Sequence, residues 1–258
     1  MTPSAEVALE FRDRVAVITL DRPGARNALG TRFAGQMHEA LTAVEHQDEV
    51  GCVIVTGRGT VFSGGGDLHH VMSPQSQPIH SDYKLIRGFN TVVARLRALD
   101  LPVIAAVNGP AVGGGAALAL ACDFAIVAQN ARYDFLFGRL GLTGGDMGCA
   151  YLLSRALGYQ RAAHLLLTGG SLSAEQLVGS GLAAELVADD LDRRALQVAR
   201  EVAAGSQWAN HATKLALRRS QALDLDAVLE YEAFVQAALF GSADHKERLQ
   251  RLLDRGPR

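Results

Sequence analysis

Three short runs, Cys52-Val53-Ile54-Val55-Thr56, Val103-Ile104-Ala105-Ala106-Val107 and Phe124-Ala125-Ile126-Val127-Ala128, carry apolar residues without polar alternation. Each reads as a strand buried on both faces. Upstream, Val7 to Leu20 reads as a hairpin turning at Arg12-Asp13-Arg14. Helical spacing appears between Thr31 and His46, where Phe33, Met37, Leu41 and Val44 recur three or four apart and predict one buried face. A second helix is predicted from Asp82 to Ala98, after the loop-like stretch Pro74-Gln75-Ser76-Gln77-Pro78. Strands alternating with helices place residues 1–191 in an α/β core. From Asp192 the spacing is helical throughout, with Val228, Phe234 and Leu239 among its apolar positions. Residues 192–258 therefore read as a helical appendage whose apolar face needs a partner.

Composition narrows the picture. A chain of 258 residues with 48% hydrophobic content suits one compact core with a smaller addition. The net charge of -2 argues against electrostatic capture of nucleic acid. Three cysteines, Cys52, Cys122 and Cys149, form no Cys-x-x-Cys pair, so reduced thiols and a cytoplasmic location are expected. The start, Met1-Thr2-Pro3-Ser4-Ala5-Glu6, shows no basic region followed by an apolar run, and no secretion leader is expected. Cys122-Asp123 interrupts the longest apolar stretch, which reads as core and not as a membrane span.

Glycines carry the candidate chemistry. The first buried run leads into Phe62-Ser63-Gly64-Gly65-Gly66-Asp67-Leu68. The second leads into Asn108-Gly109-Pro110-Ala111-Val112-Gly113-Gly114-Gly115, a turn that opens a helix at Ala116-Ala117-Leu118. Glycine permits tight turns and close approach to backbone N–H groups, and a helix start adds unpaired donors with partial positive charge. Two readings follow. The glycines pack strands closely onto helices, or two sets of donors face one point and hold an oxyanion. No Lys-Ser or Lys-Thr follows either cluster, and Gly57-Arg58-Gly59 lacks the third glycine of a dinucleotide fingerprint. His69-His70 is no metal pair, because adjacent residues on a helix point apart; no metal site is expected.

In this order along the chain, Leu20-Asp21-Arg22-Pro23, Arg26-Asn27-Ala28-Leu29, Phe62 to Leu68, Pro102 to Gly109, Gly113-Gly114-Gly115, Cys122-Asp123 and Leu166-Leu167-Thr168-Gly169 resemble the crotonase (enoyl-CoA hydratase/isomerase) superfamily. The resemblance runs from about residue 7 to about residue 255. It implies a spiral of ββα turns forming two nearly perpendicular sheets, with a C-terminal helical region that closes the CoA pocket and assembles trimers or hexamers. The implied substrate is an acyl-CoA thioester, with coenzyme A arriving as part of it and no permanently bound cofactor. The thioester oxygen would accept hydrogen bonds from Gly66 and Gly114. Arg26 and Ala28 would lie along the CoA nucleotide, and Asp67, Leu68 and His69 along adenine and pantetheine. A solvated loop cation is the alternative reading of Arg26.

Two carboxylates of the superfamily's hydratases are missing. Their positions correspond to Ala117 and Phe137, so ordinary hydration does not carry over. The carboxylate left nearby is Asp146, in a glycine-rich turn similar to one that holds an aspartate in some superfamily isomerases, offset by about one residue. An apolar, glycine-lined pocket would raise its pKa and suit it to carry a proton. Alternatively it caps a helix from Gly148 to Leu157. Asp134, predicted at a sheet edge, is a weaker candidate. Double-bond isomerisation or another proton transfer through a thioester enolate is one expected function, and a catalytically weak acyl-CoA carrier or sensor is the other.

Overall fold

The computed structural model describes residues 5–68 and 79–254. The chain begins with the expected hairpin, β1 (Val7–Arg12) and β2 (Val15–Leu20), and continues through α1 (Phe33–Glu45), β3 (Cys52–Gly57) and α2 (Ile79–Ala98). Next come β4 (Val103–Val107), β5 (Pro110–Val112), α3 (Gly114–Ala121), β6 (Phe124–Ala128) and β7 (Arg132–Asp134). Helices α4 (Cys149–Leu157) and α5 (Tyr159–Thr168) precede β8 (Ser171–Ser173), α6 (Ala174–Gly179) and β9 (Glu185–Val187). The last described elements are α7 (Leu191–Ala204), α8 (Gln207–Arg219), α9 (Leu225–Phe240) and α10 (Ala243–Asp254).

The strands form two sheets, ordered β1-β2-β3-β4-β6-β9 and β5-β7-β8. In the large sheet only β1 runs antiparallel to its neighbour; β2, β3, β4, β6 and β9 pair in parallel. The chain visits the sheets alternately. β4 lies in the large sheet, β5 in the small one, and α3 follows; β6 and β7 repeat the step. After β3, a single parallel bridge from Ser63 to Ala111 occupies the place of a small-sheet strand before α2. These are the ββα turns of the expected α/β spiral.

Burial on both faces explains the unalternating strands. One face of the large sheet turns Val53, Val55, Val103, Ala105, Val107 and Val127 into the main core with Phe33, Met37, Leu41 and Val44 of α1. The other turns Val15, Val17, Cys52, Ile54, Ile104 and Ile126 toward Leu191, Ala195, Ala199 and Ala203 of α7. The first C-terminal helix is thus a layer over the sheet, and its alanines allow close approach. Its neighbour α8 sends Lys214 back into the core, where Nζ meets Asp123 Oδ2 at 2.9 Å and donates to Leu101 O at 2.9 Å. Farther on, Val228 is buried within one chain, Leu239 is half-buried and Phe234 is 77% exposed.

Two expectations are corrected. Pro110-Ala111-Val112, read as part of a glycine turn, is a strand. Proline is tolerated there because β5 is an edge strand and Pro110 enters the ladder through its carbonyl, which accepts from Phe62 N and Ser63 N. The helix accordingly opens at Gly114, two residues before the expected start. Asp134 is not at an edge: β7 is the central strand of the small sheet, and its carboxylate is buried against Arg132 Nε at 2.8 Å. The proline-rich stretch 74–78 and His69-His70 lie outside the described residues. Among those described, no helix is long and apolar enough to cross a membrane, and no cluster of three His, Cys, Asp or Glu residues has metal-binding geometry.

Candidate active site

The two glycine clusters meet through main-chain atoms. Val112 N donates to Ser63 O at 2.9 Å, beside the Ser63–Ala111 bridge. A Cβ added to Gly65 would stand 2.6 Å from Val112 O and 3.7 Å from Gly114 N, so only glycine lets the loops approach this closely. Gly65 and Gly113 also hold positive φ angles, of 84° and 51°. Asn27 fastens the first loop from behind. Its Nδ2 donates to Arg58 O and Val61 O at 2.9 and 2.7 Å, while its carbonyl accepts from Ser63 Oγ at 2.8 Å.

Most N–H groups around the junction are occupied. Gly64 N donates to Arg26 O, Gly65 N to Ser63 Oγ, Asp67 N to Leu29 O and Gly113 N to Asp134 O. Among the described residues, the N–H groups of Gly66 and Gly114 donate to no protein acceptor. Gly66 lies opposite Leu29 in a parallel bridge, and Gly114 is the first residue of α3, where helical geometry supplies no partner.

Both glycines line a cavity of about 230 Å³. Its walls are chiefly apolar, with Ile86 and Phe89 from α2 facing Phe137 and Met147. Asp146 lines the same cavity and supplies its carboxylate. It does not cap α4: the residue at that cap is Gly148, and Asp146 Oδ1 accepts instead from Met147 N at 2.9 Å. Burial pushes the Asp146 carboxyl above the usual carboxylate range, and the Met147 N–H opposes the shift. Met147 takes a left-handed φ of 47°, uncommon for a side chain of its size. Its sulfur would stand 2.9 Å from a Cβ on Gly114, so it packs directly against the donor.

The two positions expected to match the hydratase glutamates are both apolar. Ala117 is wholly buried in α3 and does not line the cavity, whereas Phe137 does. Two ring carbons of Phe137 lie 3.5 Å from where a Gly113 Cβ would be. The remaining expected residues are arranged around the first loop. Arg26 is exposed, Ala28 is half-buried, and Leu68 is exposed at the cavity rim. Asp67 is buried against Arg22 Nη1 at 2.9 Å, and that same nitrogen donates to Ala28 O at 3.0 Å. His69 lies outside the described residues.

A family model described as enoyl-CoA hydratase/isomerase matches residues 10–258. The chain belongs to the enoyl-CoA hydratase/isomerase family. It is 36% identical over 241 residues to the 1,2-epoxyphenylacetyl-CoA isomerase of Escherichia coli, covering 93% of this chain and 92% of that protein. The 2,3-dehydroadipyl-CoA hydratase of the same species is 33% identical, with 97% and 96% covered. A 4-chlorobenzoyl coenzyme A dehalogenase of Arthrobacter is 31% identical, with 94% and 88% covered. A solved enoyl-CoA hydratase from Bacillus anthracis superposes with a TM-score of 0.92 at 28% identity, covering 97% of each chain. Isomerase, hydratase and dehalogenase names among the relatives leave the reaction to be argued from this member's own side chains.

Residue spacing did not reveal Arg22, Met147 or the α2 residues Ile86 and Phe89. Only the glycine-rich setting of residues 141–148 hinted that the chain turns sharply at Met147.

Proposed function

We propose that this chain catalyses proton transfer within an acyl-CoA thioester, shifting a double bond or performing a related enolate reaction. The thioester carbonyl oxygen sits between the N–H groups of Gly66 and Gly114. The Asp146 carboxylate removes a proton from the α- or γ-carbon, and the electron pair moves to the oxygen as an enolate. Asp146 then returns the proton to another carbon, so the double bond moves and the carboxylate is regenerated. Coenzyme A is part of the substrate, and no resident cofactor enters the scheme. Arg26, Ala28 and the main chain at 67–69 form the nucleotide and pantetheine side, while Ile86, Phe89 and Phe137 receive the acyl group.

The observation that carries this reading is the shared cavity: two N–H groups without protein acceptors among the described residues, and one half-buried carboxylate with a raised pKa. Backbone donors aimed at developing negative charge stabilise an enolate, and a carboxyl shifted toward neutrality exchanges protons more readily. Hydration is the weaker reading because Ala117 and Phe137 can neither hold nor activate water.

The test is a panel of enoyl- and acyl-CoA thioesters incubated in D₂O, followed by NMR. Exchange at the α-carbon, with double-bond migration in the true substrate, is expected. Hydration of crotonyl-CoA should fall far below about 10 s⁻¹, the ordinary enzymatic range. Turnover at or above that rate would sink the assignment of Phe137 and Ala117. Tight thioester binding without exchange would instead identify a carrier.

A further inference from the structure

A second cavity lies at the opposite end of α3 from the glycine junction. Its volume is about 280 Å³, and it lies between the end of α2, the Cys122-Asp123 corner and α8. From Gly114 to Ala121, α3 spans about 12 Å at 1.5 Å per residue, so the two cavities are separate. Arg97, Lys214 and Arg218 line it, with Asp123 as its carboxylate. Lys214 and Asp123 are paired, and Asp123 Oδ2 also accepts from Val103 N at 2.8 Å. That leaves the two guanidiniums.

Arg97 and Arg218 are each half-buried, and among the described residues neither meets a carboxylate or carbonyl oxygen within bonding distance. Elsewhere the chain pairs its partly buried arginines, as in Arg22–Asp67, Arg95–Glu45 and Arg194–Glu185. Here burial first, and then the charge of Arg218, make Arg97 a poorer base than an exposed arginine. Arg155 adds positive charge from α4, its guanidinium stacked 3.6 Å from the Tyr151 ring centroid. Partly desolvated cations that repel one another and lack acceptors cost stability unless something supplies negative charge. Three lining cations against one carboxylate leave two positive charges, which suits a dianion. The planar forks of two arginines match the oxygen geometry of a tetrahedral oxyanion.

We infer that this cavity is a phosphate-binding site in which Arg97 and Arg218 grip one tetrahedral dianion, free or as a phosphate monoester. Lys214 contributes charge there, since its nitrogen already meets Leu101 O, Leu96 O and Asp123.

Isothermal titration of the intact protein with inorganic phosphate, and separately with phenyl phosphate, tests this at fixed ionic strength set by chloride. Saturable binding of one phosphate per chain is expected. Arg97→Gln and Arg218→Gln should each weaken it about ten-fold or more, as the loss of charge-assisted hydrogen bonds implies. Circular dichroism of both variants should match the parent. Binding of phenyl phosphate with comparable affinity would identify a monoester as the ligand; binding of inorganic phosphate alone would identify the free ion. The inference is overturned if no saturable heat appears, or if both variants bind phosphate like the parent. A fall in assembly mass in either variant would also overturn it, assigning the guanidiniums to an interface between copies.

Discussion

Asp146 and Gly114 test the proposed chemistry atom by atom. Asp146→Asn keeps the side chain's size and its acceptor for Met147 N but cannot exchange a proton. Turnover of the true substrate should fall by about 10² or more while thioester affinity stays nearly constant. The same variant has a sign in stability. Burial raises the Asp146 carboxyl above its ordinary value of 3.8, so the fold favours the neutral form. The stability this gives is complete at low pH and is lost as pH rises through the raised value. At pH 7 the asparagine variant should therefore melt at or above the wild-type temperature, and that advantage should vanish toward pH 3; melting curves across this range decide. For Gly114, alanine and proline form a matched pair. Both add a Cβ near Met147 Sδ and Leu29 Cδ1, at 2.9 and 3.0 Å, but only proline removes the N–H. Proline should cost on the order of 10² in rate beyond alanine. Equal rates would mean that this N–H is not a donor. The thiols offer a contrast: burial pushes Cys52 and Cys149 up to about 12 and Cys122 higher still, which keeps all three protonated and unreactive at neutral pH.

At the scale of elements, the ion pair of buried Lys214 with the more exposed Asp123 ties α8 to the turn between α3 and β6. Removing Lys214 takes away the Asp123 ion-pair partner, and the remaining Val103 N–H bond and 26% side-chain exposure of Asp123 soften the penalty. Lys214→Met should lower the unfolding free energy in urea by about 2–3 kcal/mol. A loss under about 0.5 kcal/mol would show that α8 is held by other contacts. This scale also shows what the sequence made legible. Strands β3, β4 and β6 were readable because burial on both faces leaves continuous apolar runs. Helix α1 was readable because Phe33, Met37, Leu41 and Val44 repeat on one face. Strands β5, β7 and β8 have three residues each, too few to impose a period, so residue patterning does not reveal the small sheet. At the candidate site, Gly66 and Gly114 stood out because they lie in glycine runs that follow apolar strands, and Asp146 because it is a carboxylate in a glycine-rich turn. Arg22 did not, because its partner Asp67 is distant in sequence, and Met147 did not, because nothing local marks a methionine for a left-handed turn.

At the scale of the whole molecule, the outer helices are unfinished. Leu225, Leu229, Phe234 and Phe240 of α9 are all exposed, while Val228 on the same helix is covered. Exposed apolar side chains of this kind are expected to be covered by other molecules, and closed rotational symmetry would satisfy them without exposing a new edge. Multi-angle light scattering at micromolar concentration should give a trimer or a hexamer. Phe234→Lys should shift the mass toward the monomer. A monomeric wild-type chain would refute this reading.

The two glycine loops touch through peptide groups, at Ser63, Ala111 and Val112. Away from Gly65 and Gly114, where an added Cβ would collide with Val112 O or Met147 Sδ, replacing a side chain leaves those peptide groups in place, so few positions reach the proposed anion-holding part. The proposed proton-handling part instead depends on which side chains stand at positions 117, 137 and 146. On the proposed chemistry, divergence in this architecture is lopsided: one half of the site is inherited as shape, the other rewritten as chemistry. Relatives bearing isomerase, hydratase and dehalogenase names on one backbone are what such an inheritance produces.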